Sequence, residues 1–278
     1  INNVLIFLFL LSVFLLSVYK ITEPDVWMHL SLGKAIWQLK GIPAYEPYVY
    51  TALDRPFSYA AWLFGVTYYL TYLAFNIHGV ILLKAVTVTS VFYILVRDAL
   101  RPYKNYVIAV IVLTAVVLMA RHRFVERPDT FLMVFLSFSI FSLNAYVYDN
   151  RKYIYALPFV HLLWANSHSS IALMFIPFSA VIFGNMLNKL FNKKFSADFT
   201  VLSSSRTKTI LIIFAVSFAA SLINPYFMDQ YFYGTQSLTG AVSKYYYGTQ
   251  SLYTLWLRQS VMELQRPTWQ ITKWPYLM

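Results

Sequence analysis

Apolar residues are grouped along the chain in long runs that short polar segments interrupt. A membrane-crossing helix needs roughly 20 apolar residues, because each residue advances a helix by about 1.5 Å. The runs in this chain approach that length, so the pattern predicts an all-α fold, a polytopic transmembrane helical bundle. The candidate runs lie at 3–19, 57–76, 79–96, 105–120, 130–148, 153–165, 171–187 and 209–224.

The basic residues between the runs predict which loops face the cytoplasm, since Lys and Arg are enriched in cytoplasmic loops. If the basic loops lie inside, the segments 121–129 and 166–170 and the tail 225–278 lie outside. The basic loops contain Arg97, Arg101 and Lys104; Arg151 and Lys152; and Lys189, Lys193, Lys194, Arg206 and Lys208.

Two runs lie between the long loop 20–56 and Arg97. If that loop lies outside and Arg97 lies inside, only one of the two runs should cross the membrane. We assign the non-crossing position to 57–76, because Trp62 and the neighbouring tyrosines favour the headgroup region. Seven spans follow, with juxtamembrane helices in an outer loop at 20–78. The alternative is that 57–76 also spans, which would move either that loop inside or the basic loops outside.

Composition agrees with a single transmembrane domain over 1–278. Hydrophobic residues make up 59% of the chain, charged residues make up 12%, and the mean hydropathy is +0.57. The net charge of +11 would suggest nucleic acid in a soluble protein, but the cations lie in short loops, so we expect no nucleic-acid partner. The chain has no cysteine, which excludes disulfides and thiolate chemistry.

The two ends of the chain lead to separate expectations. We expect the first run to be a retained helix rather than a signal peptide, because no basic segment precedes it and no small-residue cleavage site follows. The tail stops at Met278 within an aromatic segment, as expected of a truncated chain. In this tail Tyr231–Leu238 recurs as Tyr245–Leu252, and Glu263 is an isolated acid, but neither feature indicates a chemistry.

Acidic residues directly follow the first run, at Glu23-Pro24-Asp25. If a helix begins here, Asp25 and His29 lie four residues apart on one of its faces. A structural interpretation is also available, in which Thr22 caps the helix and the helix dipole favours acids in its first turn. The spacing alone leaves both interpretations open.

The segment 121–129 contains six ionisable residues among nine. Arginine binds phosphate through charge-assisted hydrogen bonds, and positive charge on the predicted outer side is contrary to the usual bias. An anionic ligand is therefore indicated, although a snorkelling basic collar, with Pro128-Asp129 starting the next helix, is the structural alternative. The candidate ligand residues are Arg121, Arg123 and Arg127, whose charges Glu126 and Asp129 would balance.

Polar residues at and within the later runs have mixed interpretations. Asn166 and His168 lie at a membrane boundary, where His168 serves equally well as a structural or a catalytic group. His161 lies inside an apolar run and is expected to be a packing histidine. Lys84 is the main charge inside a run, so a continuous polar path for transport is not predicted. The sequence has no phosphate-binding glycine loop, zinc-protease motif or serine nucleophile elbow, which excludes most soluble enzyme classes.

These motifs together resemble the GT-C superfamily, the membrane glycosyltransferases that take sugars from polyprenyl-phosphate carriers. Members have a seven-span module, a long first outer loop with juxtamembrane helices, and an acidic Glu-x-Asp motif after the first span. The residues 23–25 (Glu-Pro-Asp) match that motif, and 127–129 (Arg-Pro-Asp) resemble the second acidic site in the next outer loop.

Within the superfamily the chain resembles bacterial and archaeal multi-span proteins with an Asp-x-Trp-x-His-Leu motif, matched at 25–30 and followed by Gly33. Their Trp-Ala-Asn-x-His and Asn-Pro-Tyr motifs recur at 164–168 and 224–226. The resemblance covers most of the chain. It departs at Ser169, where Gly is usual, and the soluble domain or extra spans common in the superfamily do not occur within the sequence.

The resemblance implies an inverting glycosyltransferase of the cell (plasma or inner) membrane, which transfers a sugar from a polyprenyl phosphate to an acceptor at the outer face. It implies Asp25 as general base, with Glu23 and Asp129 as further catalytic residues. Glu23 and Asp25 are also candidate ligands of a divalent cation, Mg or Mn. The resemblance leaves open whether the reaction requires this cation. The implied substrate-binding residues are His29, Arg121, Arg123, Glu126, Arg127, Asn166 and His168.

The alternative hypothesis is a non-catalytic multi-span subunit of a larger complex built on the same scaffold. The aromatic outer tail would then form the interface with membrane-protein partners. A transporter ranks third, because it would require the continuous polar path that the sequence does not display.

Overall fold

The chain forms helices wherever the sequence has apolar runs. A computed structural model describes residues 2–45, 47–48, 57–195, 199, 201–228 and 231. Within this part the structure contains α-helices and short 3-10 helices and no β-strand, so the all-α prediction is confirmed there. The α-helices are α1 (Asn2–Ser17), α2 (Asp25–Leu39), α3 (Trp62–Tyr103), α4 (Tyr106–Ala120), α5 (Asp129–Asp149), α6 (Leu157–Ser167), α7 (Phe175–Phe195) and α8 (Ser204–Ser221), and the 3-10 helices are Arg121–Arg123, Lys152–Ala156 and Ile171–Met174.

Four helices of the described part are long and apolar enough to cross a membrane. They are α3, α4 with the 3-10 helix after it, α5, and α7 with the 3-10 helix before it. Helix α1 is apolar but has only 16 residues, and α6 has only 11. The four helices are compatible with a membrane protein, whereas the expectation of seven spans stays a prediction.

Helix α3 includes two apolar runs that the sequence pattern predicts as separate elements. Its backbone leaves the helical conformation at Asn76, where φ is 52° and ψ is −154°. The break falls at the end of 57–76, the segment predicted to lie flat on the membrane. The following part, 77–103, is about 40 Å long at 1.5 Å per residue, which exceeds a hydrocarbon core of about 30 Å. Helix α3 can therefore cross a membrane without its first part, and the flat arrangement stays a prediction.

Buried apolar side chains join the helices in three groups. The first group packs α2 against the start of α3 through residues such as Val26 and Phe64. The second packs α1 against the later part of α3 and α4, and includes Phe92. The third joins α5, α6, α7 and α8, and includes Leu143 and Phe178. Glu23 lies between α1 and α2, so the first two groups pack the helices on either side of it against α3.

Large apolar side chains also cover the outside of α4. Val107, Ile111 and Met119 are 59%, 64% and 78% exposed. Soluble proteins rarely expose contiguous apolar surface of this kind, whereas lipid chains cover it at no cost. The outer face of α4 is therefore suited to a bilayer.

The predicted features of the tail after Met228 lie outside the described residues, apart from Tyr231. They include both copies of the recurring segment beyond Tyr231, Glu263, and the aromatic surface proposed as an interface.

Helices α2 and α3 approach each other most closely at two glycines. A Cβ atom built on Gly33 would lie 2.1 Å from the carbonyl oxygen of Gly65. A Cβ atom on Gly65 would lie 2.8 Å from the hydroxyl oxygen of Tyr59 and 3.0 Å from the carbonyl oxygen of His29. Only residues without a side chain fit this crossing, which sets the distance of α2 from α3.

We predict that Gly33→Ala destabilises the protein, because the backbone of α3 cannot yield to the added methyl group as a flexible side chain would. Overpacking of this kind costs about 1–3 kcal/mol. Thermal unfolding of the detergent-purified protein measures the effect.

Gly184→Ala is the matched control, because nothing lies within 4 Å of a Cβ atom at Gly184 in α7. Alanine is favoured over glycine inside a helix by up to about 1 kcal/mol, so this variant should be neutral or more stable. Equal unfolding temperatures for the two variants would contradict the close crossing.

Candidate functional site

Two polar segments that are far apart in the sequence meet through Arg127. Its Nε lies 2.8 Å from Oε2 of Glu23, and one of its terminal nitrogens donates to Oε1 of the same carboxylate at 3.1 Å. The same terminal nitrogen lies 3.4 Å from Oδ2 of Asp25. Arg127 therefore brings the residues after the first run into contact with the segment 121–129.

Each of the two segments ends in a proline followed by an aspartate that begins a helix. Pro24 (φ −67°) precedes Asp25 at the start of α2, and Pro128 (φ −55°) precedes Asp129 at the start of α5. The fixed φ of proline suits a helix start, and the helix dipole favours an acid in the first turn. Helix α5 starts at Pro128 and Asp129 as the structural alternative had it, but the alternative in which Thr22 caps α2 is wrong, because Pro24 precedes α2 and no side chain caps it.

A second set of contacts extends from Asp129 to the α6–α7 connection. Asp129 accepts a hydrogen bond from Arg123 through one carboxylate oxygen, and the other oxygen lies 2.9 Å from Nε2 of His168. The backbone N–H of Ser170 donates to Nδ1 of His168 at 3.0 Å. Because Nδ1 accepts that bond, the neutral ring carries its hydrogen on Nε2 and donates it to Asp129.

These contacts define the charged cluster, which consists of Glu23, Asp25, Arg123, Arg127, Asp129 and His168. The side chains of Glu23 and His168 are only 10% and 15% exposed, so they form the inner part of the cluster. Those of Asp25 and Arg123 are 51% and 43% exposed, so a ligand can reach them. The cluster therefore presents one accessible carboxylate and one accessible guanidinium beside largely buried partners.

The remaining candidate residues of the segment 121–129 have different surroundings. Arg121 is exposed and has no ion pair with any other residue that the structure describes. Glu126 does not join the charged cluster, because its side chain is fully buried and pairs with Lys84 at 2.6 Å. Glu126 was expected to lie beside a ligand, but the structure places it in the interior, against Lys84.

His29 lies beneath the charged cluster rather than on its rim. Its Nδ1 is 2.5 Å from the hydroxyl of Tyr59, whose backbone N–H donates to the hydroxyl of Tyr226 at 2.7 Å. Burial lowers the pKa of His29 to about 4; Asp25 opposes the shift and Arg127 adds to it. Burial also raises the pKa of Tyr59. His29 is therefore neutral at neutral pH, and its hydrogen bond ties α2 to the loop before α3.

Asn166 joins three helices instead of facing a ligand. Its Oδ1 accepts a hydrogen bond from Nε1 of Trp62 at 2.8 Å, and its Nδ2 donates to the carbonyl of Ile223 at 2.9 Å. It is only 6% exposed. These bonds hold the end of α6 against the start of α3 and the end of α8, next to His168.

Sequence reasoning missed Tyr59 and Ser170, which orient the two histidines of this region. Ser170 lies only two residues beyond His168, a spacing at which a backbone N–H can reach a neighbouring side chain. No comparable local signal marks Tyr59, because its partner His29 lies 30 residues away in the sequence.

A divalent cation does not fit the two predicted ligands as they stand. Both carboxylates, those of Glu23 and Asp25, already face the guanidinium of Arg127. In the described part of the chain no group of three or more His, Asp and Glu residues could hold a metal ion. Mg and Mn prefer about six oxygen ligands, so we derive no step that uses a metal.

A cavity of about 820 Å³ lies along the later part of α2. Its lining is apolar except for one cation, and it contains two tryptophans. The lining residues are Ile36, Trp37, Lys40, Gly41, Ile42, Trp62, Val66 and Pro225.

The titration of His29 predicts a pH dependence of stability. The unfolded chain takes up the proton near pH 6.5, whereas the folded protein takes it up only near pH 4. The unfolded state therefore binds more protons in this window, and the free energy of unfolding falls as the pH drops through it, by at most about 3 kcal/mol.

Thermal unfolding at several pH values between 7 and 4 measures this loss. His29→Asn keeps a polar group near Tyr59 but does not titrate, so its profile should be flatter than that of the wild type. His122→Asn, at an exposed histidine, should keep the wild-type profile. Identical slopes for His29→Asn and the wild type would exclude His29 as the cause.

No protein-family model, no curated protein and no solved structure matches the chain.

Proposed function

We propose that the chain is a membrane glycosyltransferase of the GT-C type, which transfers a sugar from a polyprenyl-phosphate donor to an acceptor at the outer face of the membrane. The observation that carries the proposal is the pairing of Arg127 with both Glu23 and Asp25. This pairing joins the two motifs on which the resemblance rests, and it leaves the carboxylate of Asp25 half exposed.

The proposed chemistry is an inverting displacement. The hydroxyl oxygen of the acceptor attacks the anomeric carbon, the bond between that carbon and the phosphate oxygen breaks, and the lipid phosphate leaves with its electron pair. Asp25 takes the proton of the attacking hydroxyl, a role that requires a carboxylate within hydrogen-bond reach of the oxygen. Glu23 pairs with Arg127, which lies 3.4 Å from Asp25 and would help to keep the base in position.

The donor phosphate would bind at Arg121 and Arg123. Both guanidinium groups are exposed, and they lie on the segment that also carries Arg127 and Asp129. Asp129 accepts a hydrogen bond from Arg123 and is itself in contact with His168. Guanidinium groups bind phosphate oxygens in a planar, bidentate geometry and would stabilise the charge that develops on the leaving phosphate.

The cavity beside α2 supports a lipid-linked substrate. Its apolar lining suits a hydrocarbon chain, and tryptophans such as Trp37 are common at membrane interfaces. Ile36 is 11 residues after Asp25, about 16 Å along the axis of α2, so a chain in the cavity would lie within reach of a head at the cluster.

The seven-span topology is part of the same proposal. In this arrangement 57–76 lies flat on the outer surface, and the break at Asn76 is the point at which α3 turns into the membrane. The charged cluster and the segment 166–170 then share the outer side.

A non-catalytic subunit is the second candidate, and one observation favours it. Each carboxylate of the charged cluster already has an arginine partner, as expected of a purely structural ion-pair network. In that case the cluster would serve to join α2 to α5 and would not require an accessible base.

We predict that Asp25→Asn lowers the rate of sugar transfer at least about 100-fold, because general-base catalysis contributes about 10²–10⁴. The assay follows the release of polyprenyl phosphate from labelled polyprenyl-phosphate hexoses and pentoses in nanodiscs, with total membrane lipids as the acceptor pool.

Asp149→Asn is the matched control, since Asp149 is also half exposed and pairs with an arginine, Arg101, in a different part of the chain. It should keep the wild-type rate. Unchanged transfer by Asp25→Asn would remove Asp25 from the role of base, and no transfer by the wild type with any donor would favour the non-catalytic subunit.

We predict further that Arg121→Gln weakens binding of undecaprenyl phosphate about 10- to 150-fold, as expected for the loss of a charge-assisted hydrogen bond of about 1.5–3 kcal/mol. Thermophoresis of the protein in nanodiscs measures the dissociation constant. Arg151→Gln, at another exposed arginine, should leave the affinity unchanged. Equal affinities for the two variants would contradict a phosphate site at Arg121.

A further inference from the structure

The segment 121–129 is attached to the helices behind it by a fully buried ion pair. Nζ of Lys84 lies 2.6 Å from Oε1 of Glu126, and neither side chain has any exposed area. Lys84 belongs to α3, on the later side of the break at Asn76. The pair therefore connects a long helix of the bundle to the residue that immediately precedes Arg127.

Lys84 also contacts Tyr19, which lies shortly before the acidic residues of the charged cluster in the sequence. Nζ of Lys84 lies 3.4 Å from the carbonyl oxygen of Tyr19 and 3.6 Å from the centre of its ring. The hydroxyl of Tyr19 donates to the carbonyl of Phe124. Lys84 thus contacts both segments that supply the cluster, since Tyr19 lies four residues before Glu23.

The backbone of the segment 121–129 makes mainly local hydrogen bonds. The N–H of Phe124 donates to Arg121, and the N–H of Arg127 donates to Val125. Such bonds fix the shape of the segment but not its place relative to α1 and α2. Glu126 and Arg127 are neighbours whose side chains bind different partners. The position of Glu126 therefore constrains the position of Arg127, together with the buried ring of Phe124 and the bond of Tyr19 to the Phe124 carbonyl.

A buried ion pair is not the most stabilising way to fill this space. Removing two charges from water costs free energy that their attraction only partly returns, and apolar residues of similar volume are often at least as stable. A contribution to stability is therefore a weak reason for charged residues at Lys84 and Glu126. Their directional contact does account for one defined position of the segment.

We propose that Lys84 and Glu126 are positioning residues, whose buried ion pair sets the place of Arg127 against Glu23 and Asp25. They act through the segment 121–129 and do not contact a substrate. The inference rests on the proposed function only where it concerns turnover, because the geometry of the cluster can be measured without a substrate.

The test removes both charges and measures the distance between the two segments. The double variant Lys84→Met with Glu126→Leu leaves no unpaired charge, so it is expected to fold, as size-exclusion chromatography and thermal unfolding would establish. The chain has no cysteine, so Thr22→Cys with His122→Cys provides the only spin-label sites. Both positions are exposed, and electron paramagnetic resonance in nanodiscs gives the distribution of distances between them.

We expect one narrow distance with the native pair and a distribution at least about twice as wide in the double variant, as for a segment released by local opening. A folded double variant that keeps the native distribution would overturn the inference, because the pair would then only fill space. If the double variant does not fold, the exchange of the two charges, Lys84→Glu with Glu126→Lys, decides the question. A folded exchange variant should keep the narrow distance, and a broad one would overturn the inference.

Two controls isolate the effect. Arg101→Met with Asp149→Leu removes the ion pairs of Arg101 with Asp149 and Asp98, in a different part of the chain, and should leave the distance between residues 22 and 122 unchanged. Labels at Arg97→Cys and Lys152→Cys, both exposed, should report no change in the Lys84/Glu126 double variant.

Turnover provides an independent readout. If the wild type transfers sugar, the double variant should lose about 100-fold in kcat with little change in KM, as expected when reacting groups are misplaced by about 1 Å. Absence of wild-type transfer would remove the proposed function, but the distance measurement would still decide the role of the pair.

Discussion

Charge in an apolar environment has to be paired, and this constraint determines how the segments of the chain come together. Lys84 and Glu126 are fully buried, and each would be costly without the other by several kcal/mol. Their contact requires the segment 121–129 to lie against α3. Once it does so, Arg127 faces Glu23 and Asp25, and the two acidic motifs become one cluster. The same rule acts at Arg101, which binds Asp98 and Asp149 and so joins α3 to the end of α5.

The charged cluster combines a fixed inner part with an accessible rim. Glu23 and His168 are largely buried and hold Arg127 and Asp129. Asp25 and Arg123 project further into the surroundings. Pre-organised groups of opposite charge at the edge of a low-dielectric region are suited to a reaction in which a proton is removed and negative charge develops on a leaving group. The same arrangement also suits a structural joint, and the accessibility of Asp25 is the feature that supports the proposed catalytic role.

Sequence patterns predicted the helical elements well, because a long apolar run that is suited to a bilayer has few alternatives to a helix. They also predicted the start of α5 at Pro128 and Asp129, since proline and the helix dipole act over one turn. The break at Asn76 was not predicted as such, although it falls at the end of the run expected to lie flat. The cap by Thr22 was wrong because a local motif does not reveal that the helix begins after Pro24.

The candidate site shows the same division between local and long-range information. The sequence by itself determined which residue types are present, where the helices form, and that the acids of 23–25 and the arginines of 121–129 flank apolar helices. Only the tertiary structure decided the pairing: Glu126 turns inward to Lys84, His29 binds Tyr59, and Asn166 binds Trp62. The physical reason is that helix formation depends on residues within a turn or two, whereas these ion pairs and buried hydrogen bonds depend on packing between residues that are 30 to 104 positions apart.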